Sequence, residues 1–360
     1  MQDEKAARIT GSLFKLSEGV PGYSDFTNFK KTIKMILPAL NDIRSAHERI
    51  KPFVHQTPVM SSQQLNRIFG CELFFKCENF QKAGAFKFRG ATNAVLLLSE
   101  EEKNRGVVTH SSGNHAAALS LAATMNGVKP YIVMPETAPE VKKKAVAGYG
   151  AEITFCRPTL EAREGTARDI IEKTGAILIH PYDNFNVICG QGTAALELMD
   201  EINDLEIIVA PVGGGGLISG TSTAVKGISE KIKVVAAEPL NANDAWKSFT
   251  TGVLTPSVNP GTIADGLLTS LSELTFSVIR KNVNHIFTVC EESIIECMLL
   301  IWERMKIIIE SSSATVIAAV KENPEFFRGK RTGLIISGGN VDLRRLPFCQ
   351  LPTANYYTKG

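Results

Sequence analysis

Lys87 stands between Phe86 and Phe88 and is followed by the helix-forming run Arg89-Gly90-Ala91. An amine held among aromatic rings loses part of the hydration that stabilises its charge, so its neutral form becomes available as a nucleophile toward an aldehyde. A solvated lysine opening a helix is the plainer alternative. A second signal is Gly213-Gly214-Gly215-Gly216, placed after the apolar run Ile207–Val212 and before the helix-like segment Leu217–Val225. Four successive residues without Cβ let consecutive N–H groups turn onto one anion, and a helix N-terminus adds partial positive charge. This reads as a phosphate cradle, with a glycine hinge as the alternative. No Gly-Lys-Ser/Thr follows, so it is not a Walker loop. A weaker pattern, Gly190-x-Gly192-x-x-Ala195, has the form of a dinucleotide-binding turn and keeps an NAD-type oxidoreductase open as a competing class.

Three further segments carry polar groups at the ends of apolar runs. His110-Ser111-Ser112-Gly113-Asn114-His115 follows Val107–Thr109; its small residues can present N–H groups to a carboxylate, and Asn114 offers an amide to a ring hydroxyl. His110 and His115 read as structural imidazoles, with metal or acid–base work as the alternative. Gly333–Asn340 runs into a glycine turn with Ser337 at its start. Glu238 and Asp244, with the Ala242 carbonyl between them, follow Val234–Ala237 and suit an oxygen-ligand site for Mg²⁺ or Ca²⁺, or else form a polar turn. Together the segments describe a site for a phosphorylated aldehyde cofactor.

The elements that must position these groups are legible in the apolar runs. Strands are expected at Leu73–Phe75, Val107–His110, Tyr131–Met134, Ile153–Cys156, Ile177–Ile179, Ile207–Val212, Val234–Ala237 and Leu334–Ile336. Several are apolar at consecutive positions, as strands covered on both faces are. The fold class is therefore α/β with mainly parallel sheet. Four strands cluster between Val107 and Ile179, which suggests a small mobile domain, 106–183, inserted in a discontinuous large one, 35–105 with 184–350. Residues 1–34 form a loosely ordered extension and 351–360 a tail.

With 39 basic and 37 acidic residues in 360, the chain has no field for a nucleic-acid backbone, and no apolar run reaches the roughly 18 residues a membrane span needs. Seven scattered cysteines without metal spacing read as reduced thiols of a cytoplasmic protein.

From about His55 to Leu343 the chain resembles the fold-type II pyridoxal-phosphate enzymes, and within them the serine racemase and threonine dehydratase group. The resemblance implies two open parallel-sheet lobes with the cofactor in the cleft between them. It implies that Lys87 holds the cofactor aldehyde and is the base on one face of the substrate carbon, while Ser112 is the acid/base on the other. Phe86, Asn114 (at the ring oxygen), Gly213 to Gly216 and Ser337 (at the ring nitrogen) would bind cofactor, and Ser111, Ser112, Gly113, Asn114 and His115 the substrate. A hydroxyl at the ring nitrogen, unlike a carboxylate, would not strongly hold a proton there. Glu238, Ala242 and Asp244 match the family's divalent-cation site, for Mg²⁺, Ca²⁺ or Mn²⁺. Ser62, Lys82, Lys306 and Asn340 match an interfacial ATP site, although Arg44, Gln63 and Ala83 depart from it.

The activity implied is racemisation of serine with elimination of water to pyruvate. Its alternatives are a serine/threonine dehydratase without racemisation and a low-activity cofactor-binding paralogue. A homodimer acting on a small amino acid is expected. Further departures are Ala83 and Ala85 where the family carries hydroxyls, Ala116 where it carries Gly, and Glu310-Ser311-Ser312-Ser313 for Glu-Pro-Ser/Thr-Ala/Gly.

Overall fold

The computed structural model describes residues 35–111 and 113–347. The expectations for 1–34, Ser112 and 351–360 lie outside the described residues. Two sheets organise the chain. The larger has the strand order β1-β2-β10-β7-β8-β9, with β1 at Val59–Ser61, β2 at Glu72–Cys77, β7 at Ile207–Pro211, β8 at Lys233–Pro239, β9 at His285–Val289 and β10 at Arg331–Ile336. The smaller has the order β5-β4-β3-β6, with β3 at Val107–His110, β4 at Pro130–Pro135, β5 at Glu152–Cys156 and β6 at Ile177–Leu178.

Every pairing is parallel except β1 with β2. The eight expected strands are present, seven within two residues of their expected bounds and β10 beginning three residues earlier, at Arg331. β1 and β9 were not expected. Both are edge strands: no residue of β1 is buried and β9 buries only Ile286 and Val289, so neither shows the unbroken apolar run of a covered strand.

All five residues of β7 are buried, as are five of the six in β10. Two apolar clusters cover the two faces of the large sheet. Leu73, Phe75, Val209 and Leu334 point to one; Ile208, Ala210, Val234 and Ile335 point to the other. Parallel strands leave their C-terminal ends at one edge, and the turns that follow β3, β7, β8 and β10 carry the polar segments singled out above.

The Gly190–Ala195 pattern is corrected by the structure. It lies wholly inside the buried helix Phe185–Glu201, with no strand-to-helix turn. A Cβ at Gly190 would meet Gly90 Cα at 2.6 Å, and one at Gly192 would meet the Gly220 carbonyl at 2.7 Å. These glycines let three helices pack closely and form no nucleotide turn.

Candidate functional site

Lys87 opens the helix Lys87–Leu96, and the residues before it are tied to the end of β10. Ala85 bridges to Gly338, and Phe86 N–H donates to the Ser337 carbonyl at 2.9 Å. This fixes the lysine and Ser337 on one frame. The Lys87 ammonium donates to the Pro181 carbonyl at 2.9 Å and lies 5.0 Å from the Phe86 ring centroid. Burial pulls its pKa down to about 8, against an opposing pull from the Glu310 carboxylate. Of the two flanking phenylalanines only Phe86 faces the amine in this way; Phe88 is in the core, beneath Lys82.

Across the cleft, Gly213 to Gly216 are buried and lead into the helix Gly216–Ile228, which has no side-chain cap. The N–H groups of its first turn therefore lack intrahelical partners. Gly215 has φ +87°, a conformation L side chains rarely adopt, and a Cβ on Gly214 would enter the Tyr182 ring. A concave run of free N–H donors at a helix start fits a phosphate. The helix Asn114–Met125 also begins without a side-chain cap, at Gly113.

One cleft is lined by Phe86, Lys87, Ser111, Gly113, Asn114, His115, the four glycines and Ser337. Every described residue expected to bind cofactor or substrate is thus brought to one place. His115 Nε2–H donates to the Ile179 carbonyl, 3.0 Å away, and burial holds the ring neutral, its pKa down to about 3. His110 falls to about 4 for the same reason. Asn114 donates to both oxygens of Glu310 at 2.9 and 3.1 Å and accepts from Asn340 at 2.9 Å.

Several lining groups escaped the sequence reading. The segment His180–Asp183 follows β6: Pro181 offers the carbonyl that holds Lys87, and Tyr182 packs on the glycine cradle. Its signal was its place at a strand end. Glu310, 4% exposed, is pushed up to about 7 by burial and by Asp265. Lys142 pairs with Asp265 across the cleft mouth. Arg163 also lines the cleft, and its guanidinium has no hydrogen-bond or ion-pair partner among the described residues.

Glu238 and Asp244 are both buried, outside this cleft. Glu238 accepts the N–H groups of Ala245 and Trp246 at 2.8 Å each, and Asp244 Oδ2 has no hydrogen-bond partner among the described residues. Burial raises them to about 8 and about 6. Two buried carboxylates with a spare oxygen fit a hard cation. No cluster of three or more His, Cys, Asp or Glu with metal-binding arrangement occurs among the described residues. Ser62 caps the helix Gln63–Phe69, Lys306 takes a left-handed conformation after the helix Glu291–Met305, and Asn340 donates to the Ala83 carbonyl. No hydrogen bond or ion pair among the described residues joins Ser62, Lys82, Lys306 and Asn340 to one another.

The profile of one protein family, described as Pyridoxal-phosphate dependent enzyme, matches residues 50–338. The chain is 52% identical to a serine racemase of Dictyostelium discoideum over 86% of this chain and 97% of that one. It is 47% identical to a beta-hydroxyaspartate dehydratase of Paracoccus denitrificans, over 87% of this chain and all of that one. The crystal structure of serine racemase from Dictyostelium discoideum superposes with a TM-score of 0.81, covering 85% of this chain and 99% of that one.

Proposed function

The chain belongs to the pyridoxal-phosphate-dependent enzyme family, and from that membership we propose that it interconverts L-serine and D-serine and eliminates water from serine to give pyruvate and ammonia. The observation that carries this reading is the Lys87 amine, its charge disfavoured by burial, in one cleft with an anion cradle and Ser337. The serine racemases among its relatives support the same choice.

When bound, pyridoxal phosphate supplies an aldehyde for the substrate amine and an electron sink for the pair left by the departing α-proton. The residues that would hold it are Gly213 to Gly216 at the phosphate, Asn114 at the ring oxygen, Phe86 beside the ring and Ser337 at the ring nitrogen. Ser111, Gly113, Asn114 and His115 would hold the substrate carboxylate at the uncapped helix start. Lys87 takes the α-proton from its face. Ser112, carried by the resemblance, returns a proton from the opposite face; racemisation needs both. With only the Lys87 face working, loss of the β-hydroxyl as water leaves a serine/threonine ammonia-lyase. A low-activity cofactor-binding paralogue is the remaining alternative, motivated by Ala83, Ala85, Ala116 and Ser311.

One observation favours a second substrate class. The Arg163 guanidinium in the cleft, without an ion-pair partner among the described residues, suits a second carboxylate, as on a 3-hydroxy dicarboxylic amino acid. The hydroxyaspartate dehydratase relative points the same way.

The remaining assignments are ours as well. Glu238, the Ala242 carbonyl and Asp244 hold Mg²⁺, supported by the spare Asp244 oxygen. ATP binds near Ser62, Lys82, Lys306 and Asn340 in a homodimer, and exposed Phe80 and Ile308 supply apolar surface for self-association. No helix among the described residues is long and apolar enough to cross a membrane. Cys71, Cys77, Cys156, Cys290 and Cys297 are free thiols, which supports a cytoplasmic, reduced setting. Residues 106–183 form the mobile small domain, since β3 to β6 all fall within them.

The test is chiral amino-acid analysis of the protein reconstituted with pyridoxal phosphate and Mg²⁺ after incubation with L-serine, with keto acid assayed in the same sample. D-serine alongside pyruvate is expected. Pyruvate alone would select the ammonia-lyase, and turnover of hydroxyaspartate without turnover of serine would select the second substrate class.

A further inference from the structure

The resembled family carries Ala or Gly where this chain has Ser313, and Ser313 is completely buried. Its Oγ accepts the Gly338 N–H at 2.8 Å, lies 2.8 Å from the Gly338 carbonyl and lies 3.0 Å from Ser337 Oγ. A hydroxyl has one proton and two lone pairs. The backbone N–H takes one lone pair, which leaves three ways to arrange the rest; in one of them, the third, Ser313 donates to the Gly338 carbonyl while the Ser337 proton points into the cleft, so that the two hydroxyl oxygens face each other at 3.0 Å with no proton between them and one Ser313 lone pair is unused.

In the first, Ser313 donates to the Gly338 carbonyl and accepts the Ser337 hydroxyl proton. All three contacts are then hydrogen bonds, and Ser337 turns lone pairs toward the cleft. In the second, Ser313 donates to Ser337, whose own proton points into the cleft. Ser313 Oγ and the Gly338 oxygen would then face each other at 2.8 Å with no proton between them. In a buried site that contact is costly. The backbone geometry at Gly338 therefore excludes the second arrangement, and the buried 3.0 Å contact between two hydroxyl oxygens disfavours the third, which leaves the first.

We propose that Ser313 is a positioning residue that makes Ser337 a hydrogen-bond acceptor toward the cofactor's ring nitrogen, so that this nitrogen keeps a proton. The proposal rests on the reading that Ser337 faces that nitrogen. Ser337 Oγ has no other protein partner among the described residues. With Ala at 313, its proton would have the ring nitrogen as its acceptor, and the ring would lose its own proton. The expectation that a lone serine holds no proton there is thereby reversed by its buried neighbour.

The experiment is ¹⁵N NMR of the holoenzyme loaded with pyridoxal phosphate labelled at the ring nitrogen, for the native chain, Ser313→Ala and Ser313→Thr. The native chain should show a protonated nitrogen. Ser313→Ala should lower the protonated-to-unprotonated ratio about fivefold, the size of one net hydrogen bond, and Ser313→Thr should restore it. Cofactor occupancy, read by absorbance, should be retained in all three. An unprotonated nitrogen in the native holoenzyme overturns the proposal even if Ser313→Ala does not fold, and so does an unchanged resonance in Ser313→Ala. Failure of the native chain to bind pyridoxal phosphate would instead remove the site reading, and this proposal with it.

Discussion

The two sheets that face the cleft are built differently. In the large one, β7 and most of β10 are buried, and an ion cluster lies beneath Lys87. Arg89 pairs with Glu78 at 2.7 Å and with Glu197 at 2.6 Å, and Lys76 reaches Glu197 at 2.7 Å. All four side chains are 5% exposed or less. In the small sheet, the outer strands β5 and β6 are mostly only half-buried or exposed. Its side of the cleft meets the other through the Asn114 bonds to Glu310 and Asn340, the Pro181 carbonyl at Lys87 and, at the mouth, the partly exposed Lys142–Asp265 pair. The lysine, the glycine cradle and Ser337 thus rest on the more deeply buried sheet, whereas Ser111, Gly113, Asn114 and His115 follow the buried strand β3 of a sheet whose outer strands are partly exposed.

The largest expected effect tests the more deeply buried side. Arg89→Leu leaves Glu78 and Glu197 buried without their guanidinium, and breaking such pairs costs about 3–5 kcal/mol. Denaturant unfolding should show a loss of that order. A loss below about 1 kcal/mol would break the contrast between the sheets.

Next is the cradle. Gly214→Ala drives a methyl into the Tyr182 ring. Overpacking of this kind costs about 1–3 kcal/mol, or roughly 10–100-fold in affinity. Fluorescence titration with pyridoxal phosphate should show that weakening, and Gly214→Ala with Tyr182→Ala should recover part of it.

Lys87 gives a pH signature. In the cofactor-free protein its amine becomes neutral near pH 8, not near 10.5. The rate of combination with pyridoxal phosphate should rise from pH 7 and level off above about pH 8–9; a rate still climbing beyond pH 10 would mean a solvated lysine. The unfolded chain holds this proton up to 10.5 and the folded chain only to about 8, so the unfolded state binds more protons between those values. Stability from this group therefore increases as pH rises through that window.

The smallest effect belongs to the pair across the cleft mouth. Lys142 and Asp265 are 21% and 50% exposed, and such pairs contribute less than about 1 kcal/mol. Lys142→Ala should leave the thermal midpoint nearly unchanged. A shift as large as that of Arg89→Leu would show that the two sheets are locked together.

Much of this was legible in the sequence, and the physics says which parts. Covered parallel strands leave continuous apolar runs, so β7, β8 and β10 could be read directly, together with the glycine and serine turns at their ends. Edge strands β1 and β9 keep partly exposed residues and leave no such run. The Gly190–Ala195 motif misled because glycine serves close helix packing as well as anion turns. The Pro181 carbonyl could not be read, since any residue type can offer a backbone oxygen and only the fold brings this one to Lys87. The role of Ser313 depends on a hydrogen bond to a residue 24 positions away.

The central claim is that Lys87 carries the cofactor. Borohydride reduction of the reconstituted protein, followed by peptide mass mapping, tests it most directly. A phosphopyridoxyl group on Lys87 is the predicted result. The same group on another lysine, or on none, would contradict the account.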